Sequence, residues 1–362
     1  MVNISSLGVR SAMVGSWLII IALFLYAPRF TPLLNDDQGI NILTWADVFD
    51  PAVIAAFQEE TGIRVNMSYF ENNEEVLSKL ILADQGTSVG YDLVITTDYM
   101  IDQLVKRNLL APIDRHKLTF WSDLDPLFLG HYYDQDARYA VPYYWDVYGI
   151  GYNKAFFGGV QPRASWRLIF DPAVAPAHIG MIEDAYESVM IAAQYLYGDI
   201  SLLGTEQLGA IKNLLIRQKS FLEAYSELRG DYLLVSGTSP LVVSQAAYLS
   251  RSMRHNEDIG IMIPREGSFI VIDGFVIPRT STKTESTYRL LNFLFSVENV
   301  KNNYDQFGYL PTTRTVLTMV DLKHLGGKSA VLAPERFKKF SFFRRSVPES
   351  VINDVWVDVK AS

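Results

Sequence analysis

Cysteine is absent from the 362 residues. Its absence excludes disulfides, thiolate catalysis, cysteine-based zinc sites and the lipid-modified cysteine that tethers many secreted bacterial proteins. It is compatible with an oxidising compartment. Basic charge is also in short supply, with 32 Lys and Arg against 40 Asp and Glu and a net charge of −8. A nucleic-acid partner needs a basic face and is not expected, whereas an acidic protein suits a cationic partner. The five histidines, His116, His131, His178, His255 and His324, are scattered, and none forms an HExxH or close pair. There is no GxSxG and no dinucleotide fingerprint. The fragment "LGGKS" at 325–329 has Leu322 where a phosphate loop needs glycine, and reads as a turn. No metal, no cofactor and no enzymatic activity are therefore expected. Carboxylate-based hydrolysis stays open on the residues alone, because paired acids also serve glycosidases.

Long apolar runs are scarce. Met13–Ala27, "MVGSWLIIIALFLYA", follows Arg10. It is short for a spanning helix, which needs about 20 residues, and fits the apolar centre of a secretory signal. Ala27 stands where cleavage would fall, but Leu25 is bulky and Pro28 follows. Cleavage and retention as an anchor both remain open, with export to the periplasm in either case. "PRFTPLLNDDQG" then reads as a linker, so 1–38 is signal or anchor plus linker.

What is present is ordinary for a folded protein, 49% hydrophobic and 20% charged, at a length that suggests about two domains. From Asn41 the pattern alternates. "INILTW" reads as a strand. "PAVIAAFQEETG" reads as a helix opened by Pro51 and closed by Gly62. "IRVNMSYF" reads as a strand, "NEEVLSKLILADQG" as a helix, "YDLVITT" as a buried strand and "DYMIDQLVKRN" as a helix. Such alternation implies a mainly parallel α/β sheet. Two stretches read instead as extended crossings, 139–153 in "YAVPYYWDVYGIGYN" and 268–280 in "SFIVIDGFVIPRT". Helices are expected over 184–197 and 205–227.

Within "IGMIEDAYESVMIAAQYLYG", the acids Glu183, Asp184 and Glu187 cluster with no Lys or Arg beside them in sequence. Acids are favoured in a first helical turn, so a solvated helix start accounts for them. A bound cation is the alternative.

The chain from residue 40 onward resembles the periplasmic spermidine/putrescine-binding proteins of polyamine ABC importers. The resemblance rests on "LTWADVFDPAVIAAFQEETGIRVNMSYFENNEEVLSKL" and "YDLVITTDYMIDQLVKRNLLAPIDRHKL". It continues through "YAVPYYWDVYGIGYN", "DGFVIP", "LLNFL" and "FGYLPTT", in that order. It implies a two-lobed Venus-flytrap fold, α/β in each lobe, with residues 39–146 and 272–316 in lobe 1 and 147–271 with 317–362 in lobe 2. It implies a polyamine ligand held in the interlobe cleft, and delivery by a monomer to an inner-membrane permease with a cytoplasmic ATPase. A related receptor or membrane-anchored sensor for another amine or small solute is the alternative.

A polyamine is a string of ammonium groups joined by methylenes, so its site needs spaced carboxylates and aromatic faces. By the resemblance, Asp184 and Glu187 match the acids at a helix start, and their i, i+3 spacing puts them on one face. Asp273 matches a third acid. Trp45 and Tyr99 match pocket aromatics, and Asp47 stands where the family has Glu. Core packing also accounts for Trp45 and Tyr99. Tyr143, Trp145, Asp146 and Tyr148 are further candidates for the cleft floor. The chain departs from the family at Ser244 and Val271, where pocket tryptophans stand, near Val357, where a glutamine stands, and at Ala46 and Val48 beside Trp45.

Overall fold

The computed structural model describes Trp17 and residues 39–362, except 199, 201–202, 227–229, 328–330 and 346. The chain divides into two compact units, 1–39 and 40–362. The apolar run Met13–Ala27 lies outside the described residues apart from Trp17. Among the described residues no helix is long and apolar enough to cross a membrane.

The second unit opens with β1 (Ile40–Thr44), β2 (Val65–Tyr69) and β3 (Leu93–Thr97), followed by the long β4 (Ala140–Asn153). Next come β5 (Ile179–Ile182), β6 (Leu222–Ser226), β7 (Leu241–Gln245), β8 (Ile259–Met262) and the long β9 (Ser268–Val276). Short strands β10 (Leu310–Pro311) and β11 (Phe340–Phe342) complete the sheet. Neighbours run β2-β1-β3-β9-β4-β7-β5-β6, with β8 and β10 added to β4 and β11 to β9. Parallel pairs fill the two flanks. In the middle, β4 and β9 run antiparallel to each other and to their other long partners. Ala140–Val147 pair with β9, while Tyr148–Asn153 pair with β7 and β8. One strand thus serves two halves of the sheet. All its residues but Asn153 are buried, as a strand with partners on both edges and helices on both faces requires.

Local chemistry explains the flanking helices. Pro51–Thr61 starts with Pro at N1, takes its cap from Asp50 Oδ1, which accepts from Ala52 N at 2.8 Å, and stops at Gly62 with φ +70°. The expected helix over 205–227 is shorter. It runs Thr205–Gln218, passes through a 3-10 turn, and Leu222–Ser226 becomes β6, parallel to β5. "LEAYS" has no breaker before it, and open sheet edge at β5 outweighs its helical propensity.

Two apolar clusters flank the crossing. One gathers Ile42, Phe57, Ile95, Phe128, Trp145 and Leu291, the other Trp166, Ile179, Val189, Ile211, Phe269 and Ile352. Gly267, which turns the chain into β9, ties the second cluster to the sheet. Its carbonyl accepts from Trp166 Nε1 at 2.9 Å. Its φ is +122°, and a Cβ there would meet the Lys339 carbonyl oxygen at 2.5 Å. Gly267→Ala should cost about 2–4 kcal/mol in urea unfolding, through backbone strain plus a clash that backbone cannot relieve. Gly237→Ala, at φ +74° with nothing within 4 Å, carries left-handed strain without a clash, at about 1–2 kcal/mol. Equal costs at the two positions would refute the clash.

Candidate functional site

The site is built on alternate residues of β4. Period-2 alternation turns Tyr144, Asp146 and Tyr148 to one face. At about 3.3 Å per residue they stand roughly 6.6 Å apart, and the outer two roughly 13 Å apart. Each carries or holds a carboxylate. Tyr144 OH donates to Asp273 Oδ2 at 2.6 Å, from directly opposite on β9. Asp146 accepts from Val147 N at 2.7 Å and from Ala247 N at 3.1 Å, at the start of helix Ala246–Met253. Tyr148 OH donates to Glu187 Oε1 at 2.6 Å and accepts from Gln245 Nε2 at 2.9 Å.

These carboxyls resist ionisation. Burial pushes Glu187 up to about 8, and Asp184 beside it adds to the rise, against the Tyr148 hydrogen bond and Arg345. Burial pushes Asp273 up to about 7, opposed by the Tyr144 bond and helped by Asp98. Burial likewise takes Asp146 to about 7. Asp98, which sequence reasoning passed over, rises to about 6 for the same reason, although Tyr132 OH and Ile272 N both donate to it. Asp273 is 4% exposed, and its Oδ1 has no hydrogen-bond partner. The Trp45 indole N–H lies near enough to draw the Asp273 pKa down, yet it too makes no hydrogen bond. The indole approaches the carboxyl without bonding to it. A buried acceptor and a buried donor left open side by side call for a polar ligand or water.

Of the helix-start acids, Asp184 is an exposed N-cap whose Oδ1 accepts from Glu187 N at 2.8 Å. Glu187, in the position that reaches back in a capping box, turns to Tyr148 instead. Asp184 therefore serves the helix start, while the Glu187 carboxyl is held outside that cap. Glu183 points away and meets Lys360 at 3.3 Å. Such an exposed pair contributes little, so Glu183→Gln should change ligand affinity less than about twofold by calorimetry.

The remaining candidates distribute as follows. Trp45 packs on Phe70 with ring centroids 4.2 Å apart and borders Asp273. Tyr99 is half-buried and its hydroxyl accepts from Asn73 Nδ2 at 2.6 Å. Asp47 is exposed at φ +58°, with its charge felt by Tyr248 rather than by Asp273. Tyr143 and Trp145 face the apolar core, Trp145 against Phe128. Val271 opposes Asp146 on the site face. Ser244 is buried, and Val357 is 63% exposed on the C-terminal helix. Tyr309, within "FGYLPTT", stacks on Tyr144 at 4.4 Å and 17°, so it supplies an aromatic face that the residue-by-residue reading missed.

Positive charge also reaches the acids, from a segment distant in sequence. The Arg345 guanidinium lies 4.4 Å from the Tyr99 ring and 4.3 Å from the Tyr186 ring. Its Nη2 is 3.3 Å from Glu74 Oε1, and the side chain is 18% exposed. Burial works against its charge, but Tyr99, Asp184, Glu74 and Glu349 outweigh burial and raise its pKa. A separate open surface depression, lined by Arg163, Arg167, Arg265 and Glu266, shares no residue with this constellation. Its exposed, arginine-rich lining suits a cationic ligand poorly. Among the described residues, no group of three or more His, Cys, Asp or Glu could hold a metal ion.

Comparison with known proteins adds the following. A family profile described as bacterial extracellular solute-binding protein matches residues 52–327. The putrescine/agmatine-binding protein of Pseudomonas aeruginosa is 27% identical over 341 residues, covering 89% of this chain and 92% of that protein. The putrescine-binding periplasmic protein PotF of Escherichia coli is 26% identical over 328 residues, covering 86% and 88%. Among solved structures, the spermidine/putrescine ABC transporter substrate-binding protein PotD of Streptococcus pneumoniae superposes with a TM-score of 0.78 at 23% identity. It covers 90% of this chain and 99% of that one. The TpPotD lipoprotein of Treponema pallidum gives 0.75 at 18% identity, covering 89% and 99%. These likenesses establish the two-lobed periplasmic-binding fold.

Proposed function

The chain belongs to the bacterial extracellular solute-binding protein family, and from that premise we propose that it binds a polyamine of the putrescine–spermidine type and delivers it to an ABC importer. The family is one of transport receptors and not of enzymes. Curated relatives named for putrescine and spermidine support the ligand class. The observation that carries the reading is the row on β4: Asp273 on Tyr144, then Asp146, then Glu187 on Tyr148. Three carboxyls spaced along roughly 13 Å of strand match a flexible chain of ammonium groups. Tyr144, Tyr309 and Trp45 offer faces for its methylenes and charges. The ligand site we propose comprises Asp273, Asp146, Glu187, Asp184, Trp45 and Tyr99, with Asp47 at its margin and Tyr309 added.

In this reading residues 39–146 and 272–316 form one lobe, and 147–271 with 317–362 the other. The change of partners along β4 between Val147 and Tyr148 supports that division. The protein acts as a monomer beyond the inner membrane, exported by residues 1–38, and docks on a permease driven by a cytoplasmic ATPase. A thermal-shift panel of di-, tri- and tetra-amines tests the reading. At least one amine should raise the melting temperature in proportion to log concentration and be recovered unchanged. No shift with any amine, or a chemically altered amine, would overturn it.

A further inference from the structure

We infer that Arg345 is a resident cation that fills one amine place of the site and thereby sets its length, so that the free ligand is a diamine rather than a triamine. The inference rests on the amine-binding reading and goes beyond it by naming the residue that selects ligand length.

The guanidinium has the surroundings an ammonium ligand would seek. It sits between two tyrosine faces, at 4.4 and 4.3 Å, one on helix Asp98–Lys106 and the other on helix Ala185–Tyr197. The first helix follows β3 and the second follows β5, so the contact bridges elements from the two flanks of the sheet. Glu74 meets it, and the charges of Asp184, Glu187 and Glu349 act on or with it. Asp184, Glu74 and Glu349 against one cation leave no deficit of negative charge, so an anionic group of a ligand would be repelled here. That argues against Arg345 as a carboxylate receptor.

The segment that carries it is anchored. Phe343 stacks on Phe269 at 4.2 Å and 9°. Val347 is buried, and Tyr186 OH donates to the Arg344 carbonyl. A side chain on so short a tether competes at an effective concentration on the order of millimolar. An external ammonium must displace it to reach Asp184, while Asp273 and Asp146, further along β4, are not contacted by it. Two carboxyls, Asp273 held by Tyr144 and Asp146 two residues on along β4, remain for the free ligand, with Glu187 at the boundary.

Calorimetry on the full chain with 1,4-diaminobutane, spermidine and 4-aminobutanoate, for wild type and Arg345→Ala, Arg345→Gln and Arg345→Lys, decides it. Wild type should favour the diamine. Arg345→Ala and Arg345→Gln should raise the spermidine-to-diamine affinity ratio by about tenfold, the scale of a cation–tyrosine contact plus an ion pair. Arg345→Lys should keep the wild-type ratio, which also guards against a variant that merely misfolds. Amine binding with the same ratio in all four proteins overturns the resident-cation role alone. Tightest binding of 4-aminobutanoate, lost in Arg345→Gln, overturns it in favour of a carboxylate receptor. No binding of either amine by any of the four removes the amine reading and this inference together.

Discussion

Asp273→Asn should weaken amine binding by roughly 30- to 1000-fold, the equivalent of about 2–4 kcal/mol for losing one partner of a desolvated charge pair. Asp273 lies in the middle of β9, 4% exposed, with apolar neighbours along the strand. One oxygen is held by Tyr144 and the other by nothing. An ammonium ligand would satisfy that second oxygen and fix the carboxyl in its charged form. Asparagine preserves shape and the Tyr144 bond but cannot supply charge. Folding should be maintained, because the substitution removes a group whose ionisation burial opposes. At pH 8 the melting temperature of the unliganded variant should equal or exceed that of wild type. Titration calorimetry reads the affinity and scanning calorimetry the stability. Wild-type affinity in Asp273→Asn would remove this carboxyl from the site.

Amine affinity should also climb with pH, by about tenfold in all between pH 6 and pH 8 for each carboxyl near 7 that must ionise, and by up to about tenfold per unit for one near 8. Glu187 at about 8 and Asp273 and Asp146 at about 7 are largely protonated at pH 6. An alkyl ammonium, with a pKa of about 10.4 like lysine, stays charged throughout. Binding therefore expels protons, and calorimetry at pH 7 in buffers of different ionisation enthalpy should detect their release. Stability has the corresponding sign. A carboxyl whose folded pKa is raised binds more protons in the native state than in the unfolded state between the two pKa values. Its contribution thus falls as pH rises from about 4 to about 8. The unliganded protein should lose melting temperature from pH 6 to pH 8, and saturating amine should abolish that loss. Affinity independent of pH over this range would show that these carboxyls do not meet the ligand's charge.

The sequence disclosed what local pattern and motif order encode. Strand β4 and strand β9 were visible as extended runs because Tyr, Trp, Val and Ile cluster there with no helical period. Asp184 and Glu187 were visible as acids at a helix start. What escaped detection depends on contacts far apart in the chain. Arg345 is separated from Tyr99 and from Tyr186 by well over a hundred positions, and "SFFRRSV" carries no periodic signal that would send one arginine inward. Leu222–Ser226 became a strand only because β5 offered an edge. The division of labour between Asp184, which caps, and Glu187, which bonds Tyr148, was equally invisible, since both readings predict the same two letters three apart.

Because Tyr144, Asp146 and Tyr148, which carry or hold the three carboxyls, stand at alternate positions of one strand, β4 works as a ruler with a fixed graduation. Its marks fall every second residue, roughly 6.6 Å apart, and no intermediate spacing is available to it. Inserting a single residue between Val147 and Tyr148 would not lengthen the scale. It would turn Tyr148 and everything after it to the opposite face and detach Glu187. A change of ligand length in this scaffold therefore proceeds in two-residue jumps, or by blocking a mark already present. Substituting a side chain at one end is the smaller alteration, which makes selectivity among amines of different length easier to shift from outside the strand than from within it.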